Sequence, residues 1–180
     1  MSAIFGCAKI AWGRMINFLS ISVFPLLMIL AGASDALSLR IPNWLTLTIF
    51  IAFFPLAFAT GMPLSVFGLH VLTAAILFVV GFLFFSAGLF GGGDAKLLAA
   101  AGIWFGSSQA LPFLVFTVMA GGVLALCVGL WSLISMSWDI SEVSWAKKFS
   151  SLQPNVPYGY AFAIGAILAF PHSWWMGASG

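Results

Sequence analysis

Charged residues are scarce in this sequence of 180 residues: Asp, Glu, Lys and Arg together make up 6%, against roughly 25% in a typical soluble domain. Hydrophobic residues make up 63%, and the mean hydropathy is +1.17. This composition excludes an ordinary soluble protein and indicates a membrane protein. The six basic residues are scattered and the net charge is only +2, so a nucleic-acid-binding surface is excluded as well.

Cysteine and histidine are also rare, with two of each. Cys7 and Cys127 are isolated and form no CxxC pair that could bind zinc, so both are interpreted as small packing residues. His70 lies within a predicted span and His172 near the end of the sequence, and neither has an acidic residue or a cysteine at metal-ligand spacing. We therefore expect structural roles for both histidines, and predict no metal and no cofactor.

Long apolar runs fill the sequence instead. A hydrocarbon core about 30 Å thick requires roughly 20 apolar residues per helix, so the length allows five or six spans and leaves no room for a separate soluble domain. The predicted fold class is all-α: a polytopic membrane helix bundle of about six transmembrane helices, forming one domain over residues 1–180. The predicted spans cover residues 16–33, 44–60, 66–85, 95–105 and 109–134, and a last span begins near residue 158.

The starts of the first two spans carry distinct signals. Lys9 and Arg14 precede the first apolar run and "ILAGAS" ends it, which resembles a secretory signal. The run is long for a signal core and leads straight into another span, so we interpret it as the first transmembrane helix. Before the second span, Pro42 favours an extended conformation at Ile41, and Asn43 is predicted to cap the helix.

The one extended polar connection covers residues 135–156, where tryptophans and paired lysines suit a segment at the lipid interface. Asp139 and Glu142 lie there among lysines and are interpreted as solvated surface residues. Lysine and arginine are favoured in cytoplasmic loops. With six spans, an outside N-terminus places more basic residues on the cytoplasmic side than the opposite orientation does. Four basic residues then face the cytoplasm, namely Arg40, Lys96, Lys147 and Lys148, and two oppose them, namely Lys9 and Arg14.

The other two acidic residues lie at span ends. Asp35 closes the first span and Asp94 follows the third, so two crossings separate them and both lie on the same face in either orientation. A charge near the hydrocarbon region is costly and usually faces a polar cavity. Two carboxylates sharing a site can hold a single proton between them, so that one acts as base and the other as acid. Such a pair can activate water for attack on a peptide carbonyl.

Three glycines precede the second aspartate. Without Cβ atoms, Gly91 to Gly93 can adopt positive φ and let a neighbouring backbone or an extended substrate approach Asp94 closely. Packing of helices through small residues explains the glycines equally well. Lys96 either partners a carboxylate or extends its ammonium to the cytoplasmic interface, and we favour the second interpretation.

Each of the two aspartates lies in a distinct sequence motif. "SDALSLRIPNWLT" places an aspartate before R-x-I-P-N, and "GGGDAKLLAAAGIWFG" carries G-x-G-D followed by Lys-Leu-Leu. Together they resemble the two active-site motifs of type IV prepilin peptidases. A third stretch, "VPYGYAFAIG", is similar to the PYG segment that opens the last span in that family. The ordered matches reach from about residue 34 to residue 165. A GxGD motif alone would be weaker evidence for this family, because presenilin-type intramembrane proteases share that motif.

The resemblance implies that Asp35 and Asp94 are the catalytic pair of an aspartic endopeptidase. Its expected substrate is a prepilin or pseudopilin, whose short basic leader is removed at the cytoplasmic face of the bacterial inner membrane. The expected partners are this precursor, the lipid bilayer and other pilus-assembly proteins. The residues expected to shape the substrate site are Gly91, Gly93, Lys96 and Asn43.

The resemblance is to one branch of the family. Larger relatives carry a cytoplasmic region with paired CxxC motifs and also methylate the new amino terminus. This sequence has neither those cysteines nor that length, so it resembles the small peptidase-only branch linked to Flp or tight-adherence pili.

Two other functions are compatible with the same aspartates. A proton-coupled transporter component would use them to relay protons or bind a cation, and an inactive pilus-assembly protein would keep the fold without the activity. Inverted repeats and further intramembrane polar residues would favour transport, and we find neither in the sequence. Retention of both aspartates argues against an inactive protein.

Overall fold

The computed structural model describes the backbone of residues 2–38, 40–137 and 158–177, and the side chains of residues 13–38, 40–131 and 158–177. All of the regular structure in these residues is helical. The predicted interfacial connection with Asp139, Glu142 and the paired lysines lies outside the described residues, apart from its first three backbone positions. The side chains of Cys7 and Lys9 lie outside them as well.

Among the described residues, five helices build the bundle. They are α1 (Ser2–Ser38), α2 (Asn43–Ala59), α3 (Leu64–Ser86), α4 (Gly92–Ser137) and α5 (Tyr158–Ala169). A short 3₁₀ turn (Phe170–His172) and a single helical turn, α6 (Trp174–Gly177), follow α5. The helix starts predicted near Trp44 and Tyr158 agree with these bounds, and the all-α fold class is confirmed.

In the part of the chain that the structure describes, three helical stretches are long and apolar enough to cross a membrane: Gly13–Ser38, Leu64–Ser86 and Gly92–Trp131. The 17 residues of α2 correspond to about 25 Å and are shorter than a full hydrocarbon core. Large apolar side chains on the outside of α3, such as Leu72, Val79 and Leu83, are more than half exposed. That exposure suits contact with lipid, because helices that are apolar all round occur where water is absent.

The two spans predicted at residues 95–105 and 109–134 are joined in α4 with a break at Gly106. Gly106 has φ 60° and ψ −173°, a conformation that L side chains rarely adopt. The buried imidazole of His70 occupies the break, and its Nδ1 donates to the carbonyl oxygen of Ile103 over 2.6 Å. That carbonyl lies one turn before the break, so His70 supplies a partner where the helical ladder is interrupted.

Helix α4 is central, packing against α3, α5 and α2, while α1 packs against α5 and α2. Aromatic side chains fill the core between them, with Trp104 stacked on Phe24 at 4.9 Å between ring centroids. The indole N–H of Trp104 donates to the carbonyl oxygen of Ile49 over 2.9 Å, and the indole N–H of Trp175 donates to the carbonyl oxygen of Trp104 over 2.9 Å. These bonds fix α2, α4 and the C-terminal turn relative to one another.

Candidate active site

Asp35 lies in the last turn of α1 and points toward the first turn of α5. Its side chain is buried, with 6% of its surface exposed. The backbone N–H of Gly159 donates to Oδ2 of Asp35 over 2.7 Å, and the backbone of Tyr160 also bonds this carboxylate. The first N–H groups of a helix have no partner within the helix and favour an anion. The N-terminus of α5 therefore holds the buried carboxylate of Asp35 in place.

Close approach of α1 and α5 requires glycine at position 159. A Cβ atom built on Gly159 would lie 2.8 Å from Cβ of Asp35 and 2.9 Å from its Oδ2. One turn deeper, a Cβ on Gly32 would lie 2.7 Å from Cβ of Ala163. Small residues thus let the two helices approach closely enough for a backbone N–H to reach the carboxylate.

Asp94 lies in the first turn of α4, on the other side of the site. Its Oδ2 accepts a hydrogen bond from the backbone N–H of Gly91 over 3.1 Å, and the N–H groups of Asp94 and Ala95 donate back to the carbonyl oxygen of Gly91. This is the reciprocal arrangement by which an acidic residue in the third helical position satisfies the N-cap backbone. The carboxylate of Asp94 is half-buried.

Gly91 to Gly93 do not adopt the positive φ that glycine would allow. The positive φ in this turn is 74° at Gly88, because Gly88 ends α3: its N–H bonds the carbonyl oxygen of Phe85 and the next N–H bonds that of Phe84, the usual glycine termination. Gly91 is the N-cap of α4, and Gly92 and Gly93 belong to its first turn. Close approach does occur, since a Cβ on Gly93 would lie 3.4 Å from Cβ of Ile41.

The segment that joins α1 to α2 packs over the start of α4. The hydroxyl groups of Ser34 and Ser38 both donate to the carbonyl oxygen of Arg40, over 3.1 and 3.2 Å, which ties this segment to the end of α1. Next in the chain, Ile41 contacts Gly93. The two sequence motifs therefore meet in space, although more than 50 residues separate them in the chain.

Asn43 does not cap α2 as predicted. Pro42 is the N-cap and makes no side-chain capping bond, and its carbonyl oxygen accepts from the N–H groups of Leu45 and Thr46. The side chain of Asn43 instead accepts a hydrogen bond at Oδ1 from Nζ of Lys96 over 3.1 Å. Lys96 is exposed. In the described part of the chain, its ammonium group donates to this amide oxygen, whereas the sequence suggested a carboxylate partner or a position at the membrane interface.

The two aspartates lie at the same end of the bundle, as the count of crossings predicted. The turn before Asp94 contacts the start of α5, because the ring of Phe90 lies 5.6 Å from that of Tyr158. Asp35 is the more buried of the two. Two carboxylates that come close to each other can share one proton, which gives a general acid and a general base without a further side chain.

Metal-ligating side chains do not cluster elsewhere in the residues whose side chains are described: no group of three or more His, Cys, Asp or Glu could hold an ion there. Sequence reasoning missed the backbone N–H groups of Gly159 and Tyr160 as parts of the site. The available signal was the "PYG" stretch, which was read as the start of a span and not as a partner of Asp35.

Comparison with known proteins identifies the family of the chain. A family model described as the type IV leader peptidase family matches residues 22–126. This range includes both aspartates, the segment between α1 and α2, and the start of α4. Curated proteins and solved structures give no match.

Proposed function

Because the chain belongs to the type IV leader peptidase family, we propose that it cleaves the leader peptide of prepilin-like precursors with Asp35 and Asp94 as its catalytic pair. Membership in this family implies a prepilin leader peptidase, an aspartic endopeptidase. The observation that supports the residue assignment is the contact between the two motifs at Ile41 and Gly93, with each aspartate bound by a backbone N–H group.

The proposed reaction needs one proton shared by the two carboxyl groups. The ionised carboxylate takes a proton from water while the water oxygen attacks the carbonyl carbon of the scissile bond, and the protonated partner gives its proton to the carbonyl oxygen. Collapse of the resulting diol breaks the carbon–nitrogen bond, and a proton passes from a carboxyl group to the leaving amine. The products are the leader with a free carboxyl group and the mature subunit with a free amino group. Because a coupled pair titrates as a unit, either aspartate can be the base in this scheme.

The membrane setting supports a precursor as the substrate. A precursor that keeps its apolar helix in the bilayer and its basic leader in the cytoplasm presents the scissile bond near the interface. The proposed arrangement is a single domain with about six spans, in the bacterial inner membrane, with the aspartates facing the cytoplasm. Arg40 and Lys96 would then lie on the cytoplasmic side, as the positive-inside rule favours. The proposed precursor is an Flp pilin or pseudopilin, cleaved without subsequent methylation.

Co-expression with a candidate precursor tests the proposal. Leader removal is followed by the mobility shift of the precursor on a gel, for the wild type and for Asp35→Asn and Asp94→Asn, which keep the shape of each side chain. Ser86→Ala is the matched control, because Ser86 is an exposed polar residue at the same end of the bundle.

We expect cleavage by the wild type and the control, and loss of cleavage in both Asn variants at equal membrane levels. Cleavage that persists in both Asn variants would contradict the catalytic pair. Failure of every version to cut any precursor, combined with proton uptake that depends on Asp94, would favour the transporter alternative.

A further inference from the structure

An apolar groove of about 540 Å³ opens between α2, α3 and the first part of α4. Its walls are side chains of α2 and α3, its floor is the row of small residues on α4, and its polar groups lie at one end. The residues that define this groove include Asn43, Phe50, Ala74, Ala75, Lys96 and Ala99. The groove lies beside the hydrogen bond between Asn43 and Lys96, which connects the starts of α2 and α4.

Aromatic side chains pack between α2 and α3 beyond the end of the groove that lies away from Asn43. Helices α2 and α3 are antiparallel and are joined by the turn at Gly61, near which Phe58 and Phe67 lie 5.6 Å apart between ring centroids. Phe53 packs there as well, with its ring 5.8 Å from that of Phe67 and 5.5 Å from the imidazole of His70. The two helices therefore touch near their shared turn and diverge toward the end that carries Asn43.

The length of the groove places it within one leaflet. On α2 its lining runs from Asn43 to Phe50 and on α4 from Lys96 to Ile103, which is about 10 Å at 1.5 Å per residue. Half of a hydrocarbon core about 30 Å thick is about 15 Å. A transmembrane helix of a substrate would have to continue past these aromatic side chains, whereas a lipid occupies a single leaflet.

The polar end of the groove is cationic. The ammonium of Lys96 has three donors, and Asn43 accepts from one of them. Basic pockets between transmembrane helices bind anionic lipid headgroups, and the apolar walls beneath Lys96 suit acyl chains. We propose that this groove binds one anionic phospholipid, with its phosphate at Lys96 and its acyl chains between α2 and α3. The bound lipid lies against the helix that carries Asp94 and supports the contact between the two motifs.

Lipid retention by the purified full-length protein tests this site independently of peptidase activity. The protein is titrated with dioleoylphosphatidylglycerol, dioleoylphosphatidylcholine or oleate, and native mass spectrometry counts the retained molecules. We expect one phosphatidylglycerol per protein, held about fivefold more tightly than phosphatidylcholine. Lys96→Gln should remove this preference, and Lys96→Arg should keep it. Equal retention of both phospholipids by the wild type, or retention of oleate as tight as that of phosphatidylglycerol, would overturn the proposal.

Two matched controls separate the groove from the general lipid surface. Arg40→Gln removes an exposed cation at the same end of the bundle, outside the groove, and Ala125→Phe enlarges an exposed alanine on the second part of α4. Both should retain phosphatidylglycerol as the wild type does, whereas Ala75→Phe should lose at least fivefold. Leu47→Trp fills the groove from the opposite wall and replaces Ala75→Phe if that variant fails to fold. Equal loss in the controls and the groove variants would show unspecific binding and overturn the site.

Discussion

Substitution of Gly159 by alanine tests how the carboxylate of Asp35 is held. The added Cβ would lie 2.8 Å from Cβ of Asp35 and 2.9 Å from its Oδ2. Non-bonded carbon atoms pack at about 3.5–4.0 Å, so α5 and Asp35 must separate by about 1 Å. Both Cβ atoms are bonded directly to Cα atoms of their helices, so side-chain rotation cannot move one away from the other.

The expected effect follows from the hydrogen bond that the methyl group disturbs. The N–H of Gly159 donates to Asp35 over 2.7 Å, and a separation of about 1 Å takes this distance past the usual limit of about 3.2 Å. A hydrogen bond to a charged group contributes about 1.5–3 kcal/mol, and each 1.4 kcal/mol or so is a factor of ten. If the carboxylate acts in catalysis, kcat/KM should fall by about 10- to 100-fold, within the range known for a misplacement of about 1 Å.

The assay measures initial rates of leader removal by purified protein at several precursor concentrations. We expect most of the loss in kcat, because the carboxylate is misplaced while the surface that binds the precursor is unchanged. Gly122→Ala is the matched control, since a Cβ there has no heavy atom within 4 Å, and it should cleave as the wild type does. A Gly159→Ala protein that is folded and cleaves within about twofold of the wild-type rate would refute this account of the site.

Three further substitutions probe the packing around the site. Gly106→Ala should lower the melting temperature, measured by thermal unfolding in detergent, by roughly 2–8 °C. The variant places a Cβ atom at a residue with φ 60° and 2.7 Å from Nε2 of His70, which strains the backbone and the packing. An unchanged melting temperature would contradict this strain. The added methyl group of Gly93→Ala would lie 3.4 Å from Ile41, so this variant should cleave near the wild-type rate. The larger side chain of Gly93→Val should push Ile41 away, so this variant should cleave about tenfold more slowly. Equal cleavage rates for the two variants would argue against the contact between Gly93 and Ile41. Asn43→Ala removes an exposed hydrogen bond and should slow cleavage less than tenfold, so a loss as large as that of Asp94→Asn would assign Asn43 a role in the chemistry.

The sequence predicted that Asp35 and Asp94 lie at the same end of the bundle, because counting the crossings between them needs only the positions of apolar runs. The sequence predicted two spans at residues 95–105 and 109–134, and the structure joins them in one helix with a break at Gly106. The conformations of the glycines were not predictable in this way. Gly88 and Gly91 differ in φ because one ends α3 and the other begins α4, and a helix boundary is uncertain by a few residues from sequence alone.

The backbone contacts of the two carboxylates explain why side-chain patterns could not define the whole site. Asp94 is held by the N–H of its own N-cap, a local bond that a G-x-G-D spacing accommodates. Asp35 is held by the N-terminus of a helix more than 120 residues away in the chain, and no side chain of α5 signals that contact. The sequence of α5 contains small residues that let the helix approach α1. Gly159 lies beside Asp35, and Ala163 lies beside Gly32. A small-residue pattern of this kind is ambiguous alone, because it also serves ordinary helix packing, and it indicates a site only when a buried carboxylate faces it.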